Sequence, residues 1–114
     1  VVEDDDDIRN LTCEFLELEG ISSSGVANGQ CALKFLREEN QKPKVILLDL
    51  MMPELDATAF REQQLLDPKI STIPCVLMTA HGAIDKKCQE LGMETFIKKP
   101  IDIEDLLRIV RRFL

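Results

Sequence analysis

A chain of 114 residues is one domain's worth, enough to close a single core. Its 45% hydrophobic and 31% charged composition is that of an ordinary globule and excludes a disordered chain. The net charge of −7 argues against nucleic-acid binding by this domain, and no apolar run approaches the roughly 20 residues of a membrane span.

Val1-Val2 reads as the stump of a first strand, and the absence of an initiating Met suggests a strand cut short. A helix follows over 6–19, with Ile8, Leu11, Phe15 and Leu18 at helical spacing and Gly20 as its stop. Ile21 to Ala27 is a weak second strand, its centre being Ser22-Ser23-Ser24. Asn28-Gly29 turns into a helix that buries Ala32, Leu33, Phe35 and Leu36, and Lys42-Pro43 breaks it. Val45-Ile46-Leu47-Leu48 is the strongest strand signal, its unbroken aliphatic run implying cover on both faces. A turn with Pro53 leads to a helix over about 57–66, and Pro74 opens the strand Cys75-Val76-Leu77-Met78. Gly82 precedes a short helix to Leu91, which Gly92 ends. Thr95-Phe96-Ile97 is a fifth strand, and Asp102 caps a last helix striped by Ile103, Leu106, Leu107, Val110 and Phe113. The pattern predicts one α/β domain over 1–114: a flavodoxin-like, doubly wound, five-stranded parallel sheet with five helices.

Ligands of such sheets bind beyond the carboxyl ends of the strands. Those ends deliver Glu3 and Asp4, then Asp49, then Thr79, then Lys99 to one edge of the fold. Clustered carboxylates repel unless they take up protons or a cation, and an all-oxygen acidic site suits Mg²⁺. Asp49 can then act as a nucleophile toward phosphorus, with Thr79 and Lys99 answering the phosphoryl oxygens. A carboxylate directly after four aliphatics is costly to place without a task. Asp5, Asp6 and Asp7 have a simpler role, favouring a helix N-terminus. Lys98 reads as a surface lysine. Cys13, Cys31, Cys75 and Cys88 lack CxxC spacing, and His81 is the single histidine. That disfavours zinc and disulfides and fits reduced thiols in a cytoplasmic compartment.

Four motifs, Val1-Val2-Glu3-Asp4-Asp5, Leu47-Leu48-Asp49-Leu50-Met51-Met52-Pro53, Met78-Thr79-Ala80 and Lys98-Lys99-Pro100, fall in order at strand ends. With them the chain resembles the receiver domain of two-component response regulators along its whole length. The resemblance implies that Asp49 is the phosphoacceptor, fed by a phosphohistidine on a sensor histidine kinase or a histidine phosphotransfer protein. It implies Mg²⁺ ligation by Asp4 directly, by Glu3 mostly through water, by Asp49 and by the Met51 carbonyl. Thr79 becomes the switch hydroxyl, the Ala80 amide faces the phosphoryl group, and the Lys99-Pro100 bond is cis. Phe96 holds the aromatic switch position, on the face of the fourth helix, fifth strand and last helix. His81 stands where the family tunes phosphoryl lifetime. An output domain or hybrid kinase in the same full-length chain also follows from the resemblance. Ala57 departs from the pattern, since Gly often follows the acid at Asp56.

Three rivals are weaker. A haloacid dehalogenase-type phosphatase needs a second acid two residues past its nucleophile, where this chain has Met51. A flavodoxin-like nucleotide binder needs a Gly/Ser/Thr-rich phosphate loop after the first strand, where this chain is acidic. A receiver-like interaction module without phosphorylation would not need all five site positions suitably filled. The expected role is therefore a signalling domain that assists its own phosphorylation and dephosphorylation, not a conventional enzyme.

Overall fold

A computed structural model of the chain describes residues 1–50, 56–80 and 84–114. Among these residues two helices, α1 (Asp6–Leu18) and α2 (Gly29–Glu38), precede an alternation of three strands and three helices: β1 (Ile46–Asp49), α3 (Ala57–Leu66), β2 (Cys75–Thr79), α4 (Ile84–Leu91), β3 (Thr95–Lys98) and α5 (Ile103–Arg111). The strands are parallel in the order β1-β2-β3, with Asp49 level with Met78 and Thr79 level with Lys98. Val2 extends this sheet through single parallel bridges to Leu48 and to Val26. The two predicted N-terminal strands are thus reduced to bridges. Ser22-Ser23-Ser24 offers no apolar side chain to hold that stretch on the sheet. The spatial order still places Val2 between Val26 and β1, the flavodoxin-like arrangement.

Alternation along the strands splits the core into two layers. Ile46, Leu48, Cys75 and Leu77 pack with Ala32, Leu33 and Leu36 of α2, Phe60 of α3 and Leu91 of α4. Leu47, Val76, Met78 and Ile97 pack with Leu16 of α1 and Leu106, Leu107, Ile109 and Val110 of α5. Every residue of β1 and β2 is buried, as an unbroken aliphatic run requires.

The apolar face of α1 differs from expectation. Thr12 and Leu16 are buried, while Leu11 is 49% and Leu18 80% exposed. Leu16 belongs to the second core layer with Phe15 packed against it, as expected of Phe15, and Thr12 is buried one turn earlier. The Thr12 hydroxyl donates to the Ile8 carbonyl at 2.7 Å, so burying it leaves no unmet donor. Ala57, the departure noted above, begins α3 with its methyl buried in the first core layer. Asp56 caps the same helix by accepting from the Ala59 amide at 2.9 Å. None of the four cysteines forms a disulfide: Cys75 and Cys88 are buried, Cys13 is half-buried and Cys31 is exposed. Among the described residues no helix is long and apolar enough to cross a membrane.

A buried polar network crosses the first layer. The Arg61 guanidinium donates to the carbonyls of Leu91 and Gly92, each at 2.9 Å, and so meets the negative end of α4. It also donates to Gln64 Oε1 at 2.7 Å and to Cys75 Sγ at 3.4 Å. The Gln64 amide nitrogen donates to the carbonyls of Ile70 at 3.0 Å and Ile73 at 2.9 Å. Burial pushes the Cys75 thiol up to about 11, against the opposing pull of Arg61 and Gln64. Removing Arg61 strands these acceptors together. Arg61→Ala therefore lowers the unfolding free energy by about 2–4 kcal/mol in urea denaturation. A loss below about 0.5 kcal/mol, the size of a surface substitution, contradicts this account.

Candidate functional site at the carboxyl ends of the strands

Glu3 leaves the Val2 bridge where the chain turns into α1. Its amide donates to the Val26 carbonyl at 3.0 Å, and the Asp49 amide donates to the Val2 carbonyl at 3.0 Å. These bonds set the acidic loop beside the end of β1. Asp5 caps α1 by accepting from the Ile8 amide at 3.0 Å, and Asp6 and Asp7 fill the first turn. The helix-start role expected for these three is what the structure shows.

Glu3, Asp4 and Asp49 each present a carboxylate oxygen within 4.8 Å of the others. Glu3 is fully buried, Asp49 is 4% exposed, and Asp4 is exposed. Lys99 arrives from the end of β3, its amide donating to the Thr79 carbonyl at 2.9 Å. Its ammonium pairs with Glu3 Oε1 and stands 3.3 Å from Asp49 Oδ1. Burial and the neighbouring Asp49 carboxylate hold the Glu3 carboxyl above the ordinary range, outweighing the pull of Lys99. Burial disfavours the Lys99 charge too. The bond to Glu3 and the two carboxylate charges overcome that, and its pKa is raised.

Among the described residues Glu3 Oε2 is buried and without a hydrogen-bond partner. An orphaned buried carboxylate oxygen in a group with two further carboxylates fits a hard divalent cation with oxygen ligands. Thr79 is buried at the end of β2, and Ala80 follows it, exposed. Phe96 is partly buried against the first core layer, and Lys98 is exposed, as its surface reading requires. The Lys99-Pro100 peptide bond is cis. The structure thus gathers Glu3, Asp4, Asp49 and Lys99 at one edge, with Thr79 and Ala80 at the adjoining strand end. Met51 and His81 lie outside the described residues. Sequence reasoning overlooked Arg9, whose Nη1 donates to the Glu3 carbonyl at 2.9 Å.

Folding raises the affinity of Glu3 for its proton. The contribution of Glu3 to metal-free stability is therefore fully present below the ordinary carboxylate range and is lost as pH rises through the folded Glu3 pKa. Glu3→Gln removes that dependence. At neutral pH without metal it is more stable than wild type. The two converge in acid, where Glu3 is protonated folded and unfolded alike. Thermal melts across pH check both the sign and the convergence.

The chain matches the family described as the response regulator receiver domain over residues 1–111. It is 32% identical over 117 residues to sporulation initiation phosphotransferase F of Bacillus subtilis (strain 168), covering 100% of this chain and 90% of that protein. The signal receiver domain of a signal transduction histidine kinase from Syntrophus aciditrophicus has a TM-score of 0.86 and 31% identity, over 99% of this chain and 86% of that one. The receiver domain of a sensor histidine kinase from Pseudomonas aeruginosa PAO1 shares the fold, with a TM-score of 0.87 and 24% identity over 98% and 92% of the two chains. That structure holds a magnesium ion coordinated in its active site cleft. With the strand-end acids, lysine and threonine on one edge of a flavodoxin-like sheet, the chain belongs to the response regulator receiver domain family, the phosphoacceptor signalling domains of two-component systems.

Proposed function

We propose that Asp49 is the phosphoacceptor of this receiver domain, taking a phosphoryl group from a phosphohistidine. The observation that carries this is the buried Asp49 carboxylate, bracketed by Glu3, Asp4 and the Lys99 ammonium. A carboxylate oxygen of Asp49 forms the new O–P bond as the P–N bond to the donor imidazole breaks. The leaving nitrogen keeps that electron pair and takes a proton. Lys99, already between two carboxylates, can turn its ammonium to a phosphoryl oxygen. Thr79 supplies a hydroxyl and Ala80 an amide on the other side. Glu3, Asp4, Asp49 and the Met51 carbonyl are the residues that hold Mg²⁺. When bound, the ion offsets the repulsion between phosphoryl group and carboxylates.

Phosphorylation is read as movement of Thr79 and repacking around Phe96, on the face of α4, β3 and α5. The donor is a sensor histidine kinase or a histidine phosphotransfer protein in the cytoplasm, and the output is an attached domain or a separate partner. The protein assists its own phosphorylation and hydrolysis without turning over an external substrate. His81 tunes the lifetime of the phosphoryl group.

Acetyl phosphate with Mg²⁺ adds one phosphoryl mass to the wild type and none to Asp49→Asn, as intact-protein mass spectrometry reads it. No addition to the wild type favours the non-phosphorylated interaction module, and equal addition to both proteins moves the acceptor elsewhere. His81→Ala changes the decay rate of the phosphorylated protein severalfold, by roughly the weight of one hydrogen bond. An unchanged decay curve removes His81 from the scheme.

A further inference from the structure

We infer that Arg9, seated in a slot left by Gly25, is a positioning residue for the magnesium site; this rests on the metal reading of Glu3, Asp4 and Asp49. A cation one turn inside the N-terminus of α1 opposes the helix dipole, so Arg9 needs another reason to sit there. Its side chain is 17% exposed and does not extend into solvent. Nη1 donates to the Glu3 carbonyl at 2.9 Å, while Nη2 pairs with Asp6 Oδ1. The guanidinium fork thus ties the first turn of α1 to the backbone that carries the metal acids, a bidentate reach that Lys lacks.

The peptide unit is planar, so fixing the Glu3 carbonyl fixes the plane from which the Asp4 Cα departs. The plane before Glu3 is held in turn by its amide bond to the Val26 carbonyl. Glu3 and Asp4 therefore enter the site from a backbone anchored on both sides. Gly25 provides an independent observation. A Cβ built there would lie 2.9 Å from Arg9 Cγ and 3.1 Å from Arg9 Cδ. The glycine is needed for room, and the room is filled by the stem of Arg9. A side chain at position 25 forces the Arg9 stem to shift, with Cys13 Sγ 3.3 Å away on the other contact, and on this reading the shift is passed to the guanidinium.

Positioning and plain electrostatics predict opposite signs. Were Arg9 only a nearby positive charge, its removal would tighten cation binding. As a positioning residue, its removal loosens binding, in the way that partners holding metal ligands in place do. The test is isothermal titration with MgCl₂ alone, which suits a chain without Trp, with metal-free melting temperatures alongside. Arg9→Ala raises the Mg²⁺ dissociation constant roughly tenfold. Gly25→Ala, which keeps every charge, raises it severalfold, and Arg9→Lys falls between wild type and Arg9→Ala. In the Arg9→Ala/Gly25→Ala double variant the effects do not add, because both act through one contact. Tighter binding by Arg9→Ala, or wild-type affinity in either single variant with a lowered melting temperature, overturns the positioning role while leaving the metal reading intact. A wild type that takes up no Mg²⁺ overturns both.

Discussion

Two carboxylates can face each other in the interior of this protein because Lys99 stands between them. Its ammonium reaches Glu3 and Asp49 together, from a strand end fixed to Thr79 by a backbone bond. Without that cation, two buried like charges would have to be neutralised by protons. With it, one acid keeps an elevated proton affinity and an unpartnered oxygen, so the site is stable yet unsatisfied. That incomplete compensation is what suits the site to a hard cation with oxygen ligands.

Asp49, Thr79 and Lys99 were legible in the sequence because each stands at the end of a short β-rich run. The strand period fixes which end of the sheet such residues reach. Glu3 and Asp4 were legible as the first members of an acidic run, once the later members were assigned to the helix start. Arg9 left no such trace. Its pairing with Asp6 is an ordinary contact within a helix, while the bond that bears on the site goes to a main-chain carbonyl that no motif reveals, and its slot is marked by a glycine in a weak strand.

Other features escaped for related reasons. A helix with apolar residues at spacings of both three and four offers two stripes. The sequence favoured the leucines, whereas packing chose the row containing Thr12, whose hydroxyl folds back on its own helix. Arg61 and Gln64 of α3 carry no mark in the sequence that sets them apart, and both are buried. Their partners are carbonyls at the end of α4 and before β2, contacts that exist only after the chain has folded. The two N-terminal strands were recognised but overestimated. Extended backbone with few apolar side chains pairs with the sheet only where a valine anchors it.

That reduced pairing has a consequence for how the site moves. Asp49 and Thr79 close two fully buried strands that pair along their whole length, the class of segment whose amides exchange only when the whole domain opens. Glu3 and Asp4 follow a single bridged valine and are tied by individual hydrogen bonds to Val26 and Arg9 in place of a continuous ladder, beside a serine-rich edge that can open locally. The site therefore has one wall that is rigid and one that yields. Small displacements of the acidic loop leave β1 in place, and the entropy lost on binding a ligand there would fall on the loop.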